Sequence, residues 1–371
     1  MSKRKLAVFV AAGALVAMPL AAQAVDMEVY GVAHVSVDFS DNEAPPTSGN
    51  DDSALSVNSN TSKLGFKGSE KLSDNLSVVW QYETEVELDD GTLSAKGRDT
   101  YAGLKGSWGL FKAGKLSNAM KKASSKIDIF SNSRADHNAM VGIISDDTSD
   151  SSSVKKYDNR LDNTIWYSTP KMGGVTGVVT YSSDTDDKDS DELPGKSATR
   201  ELSNISLSIA YDKGPLYLAV ATETMNDAKE TATASGIYES VSGTKLVGRW
   251  DFGQGTKIGL VYEDLESAKT GLASGDSRSA IYLNAAHKVG NTTYKAALGQ
   301  ADDVGNLADS GAAHYALAAY HSYSKNTQLY AMYTVMDNDD NAVYGLKDMK
   351  GVQGKTISAF SFGLIKRFSS K

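Results

Sequence analysis

The sequence predicts an all-β protein, a sixteen-stranded antiparallel transmembrane β-barrel. Three observations lead there: long runs that alternate apolar and polar residues, connections that are short and long by turns, and an amino-terminal export segment on a chain of 371 residues with no cysteine. The absence of cysteine excludes disulfide scaffolds, thiol catalysis and Cys-based zinc sites. With 38 Lys plus Arg against 46 Asp plus Glu the formal charge is −8, which argues against a nucleic-acid partner, whose phosphates call for a basic face. At 40% hydrophobic the average is that of a soluble protein, and also that of a membrane barrel, in which alternate residues face water.

The first element is the export segment. Lys3, Arg4 and Lys5 form a basic start, Leu6 to Leu20 is an apolar run, and Ala22-Gln23-Ala24 fits a small-x-small cleavage site. Residues 1–24 are therefore expected to be a signal peptide and 25–371 the barrel domain, with a mature charge near −11 once the three leader cations are gone.

The first strand follows at once. Met27, Val29, Gly31, Ala33, Val35, Val37 and Phe39 share one parity, while Glu28, Tyr30, Val32, His34, Ser36 and Asp38 share the other. A period of two makes a strand with one apolar and one largely polar face. Leu76 to Leu88 repeats the pattern, with Leu76, Val78, Trp80, Tyr82, Val86 and Leu88 opposite Ser77, Gln81, Glu83, Glu85 and Glu87. Such runs exceed the usual five or six residues of globular strands and suit the roughly nine to eleven that a tilted strand needs to cross a bilayer.

Seven short turns recur: Ser69–Asn75, Gly106–Gly109, Pro170–Gly173, Asp212–Gly214, Phe252–Gly255, Gly290–Asn291 and Ser324–Asn326. Eight longer polar segments interleave with them: Ser40–Ser53, Asp89–Lys96, Asn118–Arg160, Asp184–Arg200, Met225–Ser242, Leu265–Ser277, Ala301–Ala312 and Asn338–Lys355. Fifteen connections join sixteen strands, and an even number returns the chain to its starting side, where first and last strands can pair and leave no open edge in hydrocarbon. The last strand, Thr356 to Phe368, places Phe360, Phe362, Leu364, Lys366 and Phe368 on one parity, as expected for an aromatic-girdled wall.

Several segments resemble the general diffusion porins of Gram-negative outer membranes, the sixteen-stranded trimeric type. They are Val29-Tyr30-Gly31, Ser62 to Glu70 (SKLGFKGSE), Gly103-Leu104-Lys105-Gly106 through Gly109, Gly114-Lys115, Asn163 to Pro170 (NTIWYSTP) and the closing aromatic strand, in family order. Two features depart from the family pattern: Ser369, Ser370 and Lys371 follow the usual terminal phenylalanine, and lysines 63 and 115 stand where arginine is common.

The resemblance implies that residues 118–160, which follow the fifth strand, fold inward as the third loop and narrow the channel. The stretch is forty-three residues, long for an idle connection. It carries Asp128, Asp136, Asp146, Asp147, Asp150 and Asp158 with Lys121, Lys122, Lys126, Arg134 and Arg160. Parts of Ile127 to Ile144 are the expected constriction, and Asp128, Arg134 and Asp136 its pore-lining candidates.

On the wall, Lys63 and Lys67 share the parity opposite Leu64 and Phe66, so both are expected to face the lumen across from Glu83, Glu85 and Glu87. Lys105 extends the basic side; Lys115 is a further candidate, although Lys112 and Lys115 have opposite parity and need a bulge to point the same way. Opposed charges across a narrow pore set up a transverse field that favours ions and small dipolar solutes over apolar ones.

The expected function is a passive, water-filled channel for ions and small hydrophilic solutes, a homotrimer embedded in outer-membrane lipid and lipopolysaccharide. Acidic clusters in the loops (Asp184, Asp186, Asp187, Asp189, Asp191 and Glu192; Asp337, Asp339 and Asp340) would concentrate cations at the mouth and bridge lipopolysaccharide through divalent ions. They set the expectation of a cation preference, against a lysine-bearing wall. Two other readings are an adhesin or receptor on a plugged barrel and a substrate-selective channel.

No enzyme, cofactor or metal centre is expected. Asp187–Asp191 begins like a calcium loop, but Glu192 and Ala198 stand where glycine and glutamate are needed. Gly109 to Lys115 spells most of a phosphate loop without the strand-turn-helix context, and Leu116 occupies the magnesium-ligand position. The five histidines form no zinc-binding helix signature, and no G-x-S-x-G elbow occurs.

Overall fold

A computed structural model describes residues 26–44, 54–144, 155–183, 203–230, 238–267 and 276–371. The export segment, Asp146, Asp147, Asp150 and the acidic run Asp184–Glu192 lie outside the described residues.

The sheet holds eighteen strand segments, and two pairs of segments are single passes interrupted midway, so the barrel has sixteen strands. They are β1 (Asp26–Asp41), β2 (Ala54–Ser59 with Lys63–Ser73), β3 (Leu76–Val86), β4 (Leu93–Gly97 with Thr100–Gly106) and β5 (Gly109–Ser117). After the third loop come β6 (Arg160–Ser168), β7 (Val175–Ser183), β8 (Ser203–Lys213), β9 (Leu216–Glu230), β10 (Tyr238–Gly253) and β11 (Thr256–Glu266). β12 (Ser277–Val289), β13 (Thr292–Ala301), β14 (Ala312–Ser324), β15 (Thr327–Asn338) and β16 (Thr356–Ser369) complete the ring.

Each strand pairs antiparallel with its sequence neighbour, and β1 pairs with β16 from Tyr30↔Ser369 to Asp41↔Ser358. The seam runs past Phe368. Ser370 donates its backbone N–H to the Val29 carbonyl at 2.9 Å and accepts from Val29 N on its hydroxyl at 3.0 Å, while Lys371 pairs with Asp26. The three-residue tail thus adds closure hydrogen bonds and leaves the aromatic row undisturbed.

The alternation sorts the faces as expected. Outward positions are large, apolar and exposed: Leu207, Ile209, Leu218, Leu246, Leu260, Leu298 and Leu317 among them, with Tyr82 and Phe362 and, toward the strand ends, Trp108, Trp250, Tyr294 and Tyr315. Inward neighbours such as Ser206, Tyr217, Lys245, Glu263, Asn284 and His314 are buried. An outside that is apolar and an inside that is polar is the reverse of a water-soluble fold and the pattern of a barrel in hydrocarbon.

The short turns sit where glycine permits them. At Gly109, φ is +125° and an added Cβ would lie 2.2 Å from the Ser168 carbonyl oxygen, so only glycine opens β5 against β6. The segment Met225–Ser242 is mostly strand and not loop: β9 and β10 overrun the wall and stay paired as far as Glu230↔Tyr238. Polar composition alone does not distinguish such paired strand from a loop.

Candidate functional site

Three irregularities in the barrel wall converge on one patch of the lumen. β2 breaks at Asn60–Ser62, where Thr61 has φ +56° and Ser62 bridges the His34 backbone through its hydroxyl. β4 breaks at Arg98–Asp99, and β6 shifts register between Leu161 and Thr164, with Asn163 at φ +49°. Breaks of this kind re-aim side chains. In an unbroken strand Arg98 and Asp99 would face opposite ways, whereas here both turn inward and find partners across the wall.

Arg98 donates through Nε to Glu83 at 2.6 Å and through Nη1 to Glu85 at 2.7 Å. Lys63 Nζ approaches Glu83 at 3.2 Å, and Tyr30 donates its hydroxyl to the same carboxylate at 2.8 Å. Asp99 accepts from Arg160 Nε at 2.6 Å, Lys122 Nζ at 2.9 Å and Ser117 Oγ at 2.9 Å. Lys112 stands inward on β5 with its ammonium 3.9 Å from the Trp166 ring centroid and 4.6 Å from that of Tyr101, a cation–π seat. On this patch five bases (Lys63, Arg98, Lys112, Lys122, Arg160) meet three acids (Glu83, Glu85, Asp99).

The patch faces the segment between β5 and β6. Helix α1 (Ala119–Ser125) opens it, capped by Asn118, whose side chain accepts from Lys121 N at 2.9 Å. Met120 N bonds to Ser206 of β8 at 2.9 Å, and Tyr217 of β9 donates to the Ala123 carbonyl at 2.7 Å. Asn284 of β12 and Lys295 of β13 reach the Ile127 and Ile129 carbonyls at 3.1 and 2.5 Å. Arg134 bonds Asp38 of β1 through Nε and the Lys347 carbonyl of the eighth loop through Nη1, both at 2.7 Å. In a ring of sixteen, β1 and β9 stand opposite, so the segment is bonded to opposite sides of the wall.

The return path rests on charges buried in the wall. Arg278 of β12 holds the Met140 carbonyl at 3.0 Å and Glu263 of β11 at 2.8 Å, and Glu263 accepts from Gly142 N at 2.9 and 3.1 Å. Lys245 of β10, fully buried, pairs with Asp158 and lies 3.3 Å from Glu263. Two inward glycines admit the segment: a Cβ on Gly299 would stand 2.8 Å from Met140 Sδ, and one on Gly259 would stand 3.2 Å from Ile127 Cβ.

Between the segment, the patch and the eighth loop lies a cavity of about 900 Å³. Its charged lining is seven basic side chains (Lys63, Arg98, Lys121, Lys122, Arg160, Lys347, Lys350) and five acidic ones (Glu85, Asp128, Asp136, Asp158, Asp348).

The sequence candidates divide accordingly. Lys63, Glu83, Glu85 and Asp128 belong to this region. Lys67 shares the inward parity but pairs with Glu28 at 3.2 Å, toward the short-turn end. Lys105 is exposed near that same end, two residues before the Ser107-Trp108 turn. Lys115 departs from expectation: it keeps the outward parity of Phe111 and Ala113 and pairs with Asp162 at 2.7 Å, and the extra residue of the register shift lies in β6. Glu87 also departs, since β3 ends at Val86 and Glu87 opens the second loop, its carbonyl accepting from Gly91 N.

Arg134 and Asp136 do internal work. Arg134 is the buried anchor to Asp38, and Asp136 caps a 3-10 turn by accepting from Asn138 N at 2.9 Å and Asn132 N at 2.6 Å, while still touching the cavity. Sequence reasoning passed over Arg98, Asp99, Lys245, Glu263 and Arg278. The last three had a signal, a full charge at an inward strand position, where serine or alanine would suffice.

Asp128 adds a titration. Burial pushes its carboxyl up to about 6, with Asp136 adding to the rise and His137, 3.7 Å away, and Lys295 opposing it. A folded value above the ordinary one means the proton is held: this group's contribution to stability is full below the usual carboxylate range and is lost as pH rises through 6. Over the same interval the cavity gains one negative charge. The anion-to-cation permeability ratio, read from reversal potentials, is therefore expected to fall between pH 4.5 and 7.5, and Asp128→Asn to flatten that dependence; a profile unchanged by the substitution would move the titration elsewhere.

The profile of the family described as Gram-negative porin matches residues 7–341. The major outer membrane protein P.IB of Neisseria sicca is 25% identical over 291 residues, 75% of this chain and 78% of that one. An outer membrane porin protein of Bordetella pertussis is 27% identical over 271 residues, covering 68% and 67%. Among solved structures, the anion-selective porin from Comamonas acidovorans superposes with a TM-score of 0.75 at 22% identity, over 93% of this chain and all of that one. An outer membrane protein of Vibrio cholerae, described as its trimer form, gives 0.63 at 17% identity, over 93% of this chain and 100% of that one.

Proposed function

Because this chain belongs to the Gram-negative porin family, an outer-membrane channel by membership and fold, we propose that it is a passive diffusion pore that favours small anions and anionic hydrophilic solutes. The observation that carries the preference is the surplus of basic over acidic side chains around the cavity, seven against five. It departs from the cation preference that the acidic mouth suggests. Charges around a narrow, low-dielectric passage act on every passing ion, whereas those at a wide mouth are screened within about 8 Å at physiological salt.

The segment 118–160 is the constriction on this reading, supported by its bonds to β8–β13 on one side and to β1 on the other. Ions traverse the bore beside Lys63, Arg98, Lys122 and Arg160, where paired carboxylates hold the bases upright and keep them from closing on a solute too tightly. Conduction needs such weak, multiple contacts. Residues 1–24 serve as the signal peptide, and the assembly is a trimer, as the Vibrio cholerae relative is described. Lipopolysaccharide bridged by divalent ions remains the partner suggested for the outer loops.

Single-channel recording in a planar bilayer tests the reading. Folded protein is expected to give stepwise, ohmic conductance and, under a salt gradient, a reversal potential of the anion-selective sign. Silent membranes would remove the channel, and the opposite sign would remove the anion preference while leaving the channel.

A further inference from the structure

Over β12–β15 four neighbouring outward positions are alanine: Ala285 and Ala296 face each other in one register row, and Ala319 and Ala331 in the next. Ile258, Leu317, Tyr333 and Phe360 stand around them, and the depression they leave has a volume of about 560 Å³. That is within the range of ordinary small-molecule sites, roughly 300–1,000 Å³.

The groove is apolar along its length and polar at one end. That end is formed by Thr256 and His287, beside the short turns at Gln254–Gly255 and Gly290–Asn291, which in this family face the periplasm. Thr256 Oγ1 lies 2.7 Å from His287 Nδ1. In the tautomer in which the Thr256 hydroxyl donates to Nδ1, the ring proton is on Nε2. The site is an apolar trough whose polar end offers the His287 ring and, at the facing register position, Tyr294.

This face meets hydrocarbon, which settles the class of occupant. An empty trough would forfeit dispersion contacts along its floor, so lipid fills it. We propose that the groove is a seat for one phospholipid of the periplasmic leaflet, with an acyl chain over the four alanines and its phosphate accepting from His287 Nε2. The proposal rests on the outer-membrane reading of the chain. It adds a lipid held in place, distinct from the bulk annulus.

The test uses the full folded protein in detergent, titrated with phosphatidylglycerol and followed by native mass spectrometry. The double substitution Ala296→Phe/Ala319→Phe fills the trough with side chains of a kind common on this face, and Leu207→Phe on β8 is the control. Wild type and control are expected to retain one lipid per barrel, and the filled variant to bind about tenfold more weakly, ~1.4 kcal/mol. His287→Gln is expected to weaken phosphatidylglycerol about threefold and to leave diacylglycerol of the same chains unaffected, ~0.7 kcal/mol. Equal retention by wild type and the filled variant would overturn the seat. A change in the number of barrels per particle on filling, with lipid binding unaltered, would overturn it in favour of a barrel–barrel contact. Conductance of the filled variant reports the channel separately, so failure of the seat and failure of the channel are told apart.

Discussion

Replacing Lys122 and Arg160 together by glutamate is expected to invert the ion preference of the channel. The two side chains converge on Asp99 at 2.9 and 2.6 Å, and both line the cavity. The double substitution turns a lining of seven bases and five acids into one of five and seven. Each unit of charge about 8 Å from an ion's path is worth roughly 0.5 kcal/mol in water, and less by nearly threefold after screening over one Debye length. Four units acting oppositely on cation and anion then shift the permeability ratio by about tenfold, ~1.4 kcal/mol. A reversal potential that keeps its sign, in a variant that still conducts, would place the governing charges elsewhere. Lys67→Glu is the informative contrast: its partner is Glu28, away from the cavity, so it should change selectivity far less.

Lys245→Met is expected to free the third loop from the wall opposite the basic patch. Lys245 is fully buried between Asp158 of the loop and Glu263 of β11, and Glu223 of β9 accepts from the Asp158 backbone at 3.1 Å. Removing the one lysine leaves buried carboxylates facing each other, which typically costs about 3–5 kcal/mol. The barrel ladders do not depend on it, so the loss should appear as a lower unfolding temperature for the loop, proteolysis within residues 118–160 and a noisier open channel. Lys245→Met/Asp158→Asn removes both partners of the pair, and most of the wild-type behaviour is expected to return. A single variant as quiet and protease-resistant as wild type would show that Arg278 and the β8–β9 contacts suffice.

Much of the architecture could be read from the order of residues because a barrel wall obeys one simple rule. Each strand from Met27 onward separates an apolar from a polar parity, and turns containing Gly214, Gly255 or Gly290 mark one rim. The closing pair followed from parity alone. The site was legible only in part, and for the same reason. Lys63, Glu83 and Glu85 obey the rule, and the structure brings them onto one patch. Arg98 and Asp99 break it, since adjacent residues that both face inward cannot be derived from a period of two. Lys115 was misplaced because the irregularity that would have turned it inward sits on the neighbouring strand. The route of the third loop depends on bonds to strands more than a hundred residues away, such as Arg278 with Met140, and no local pattern encodes those.

The interruptions at 60–62, 98–99 and 161–164 give the filter a heritable geometry of its own. Exchanging lysine for glutamate at fixed positions can retune such a pore by degrees. Adding or deleting a single residue at one of these kinks would swing a whole set of side chains between lipid and water in one step. An engineer grafting this filter onto another barrel would have to carry over the kinks along with the charges.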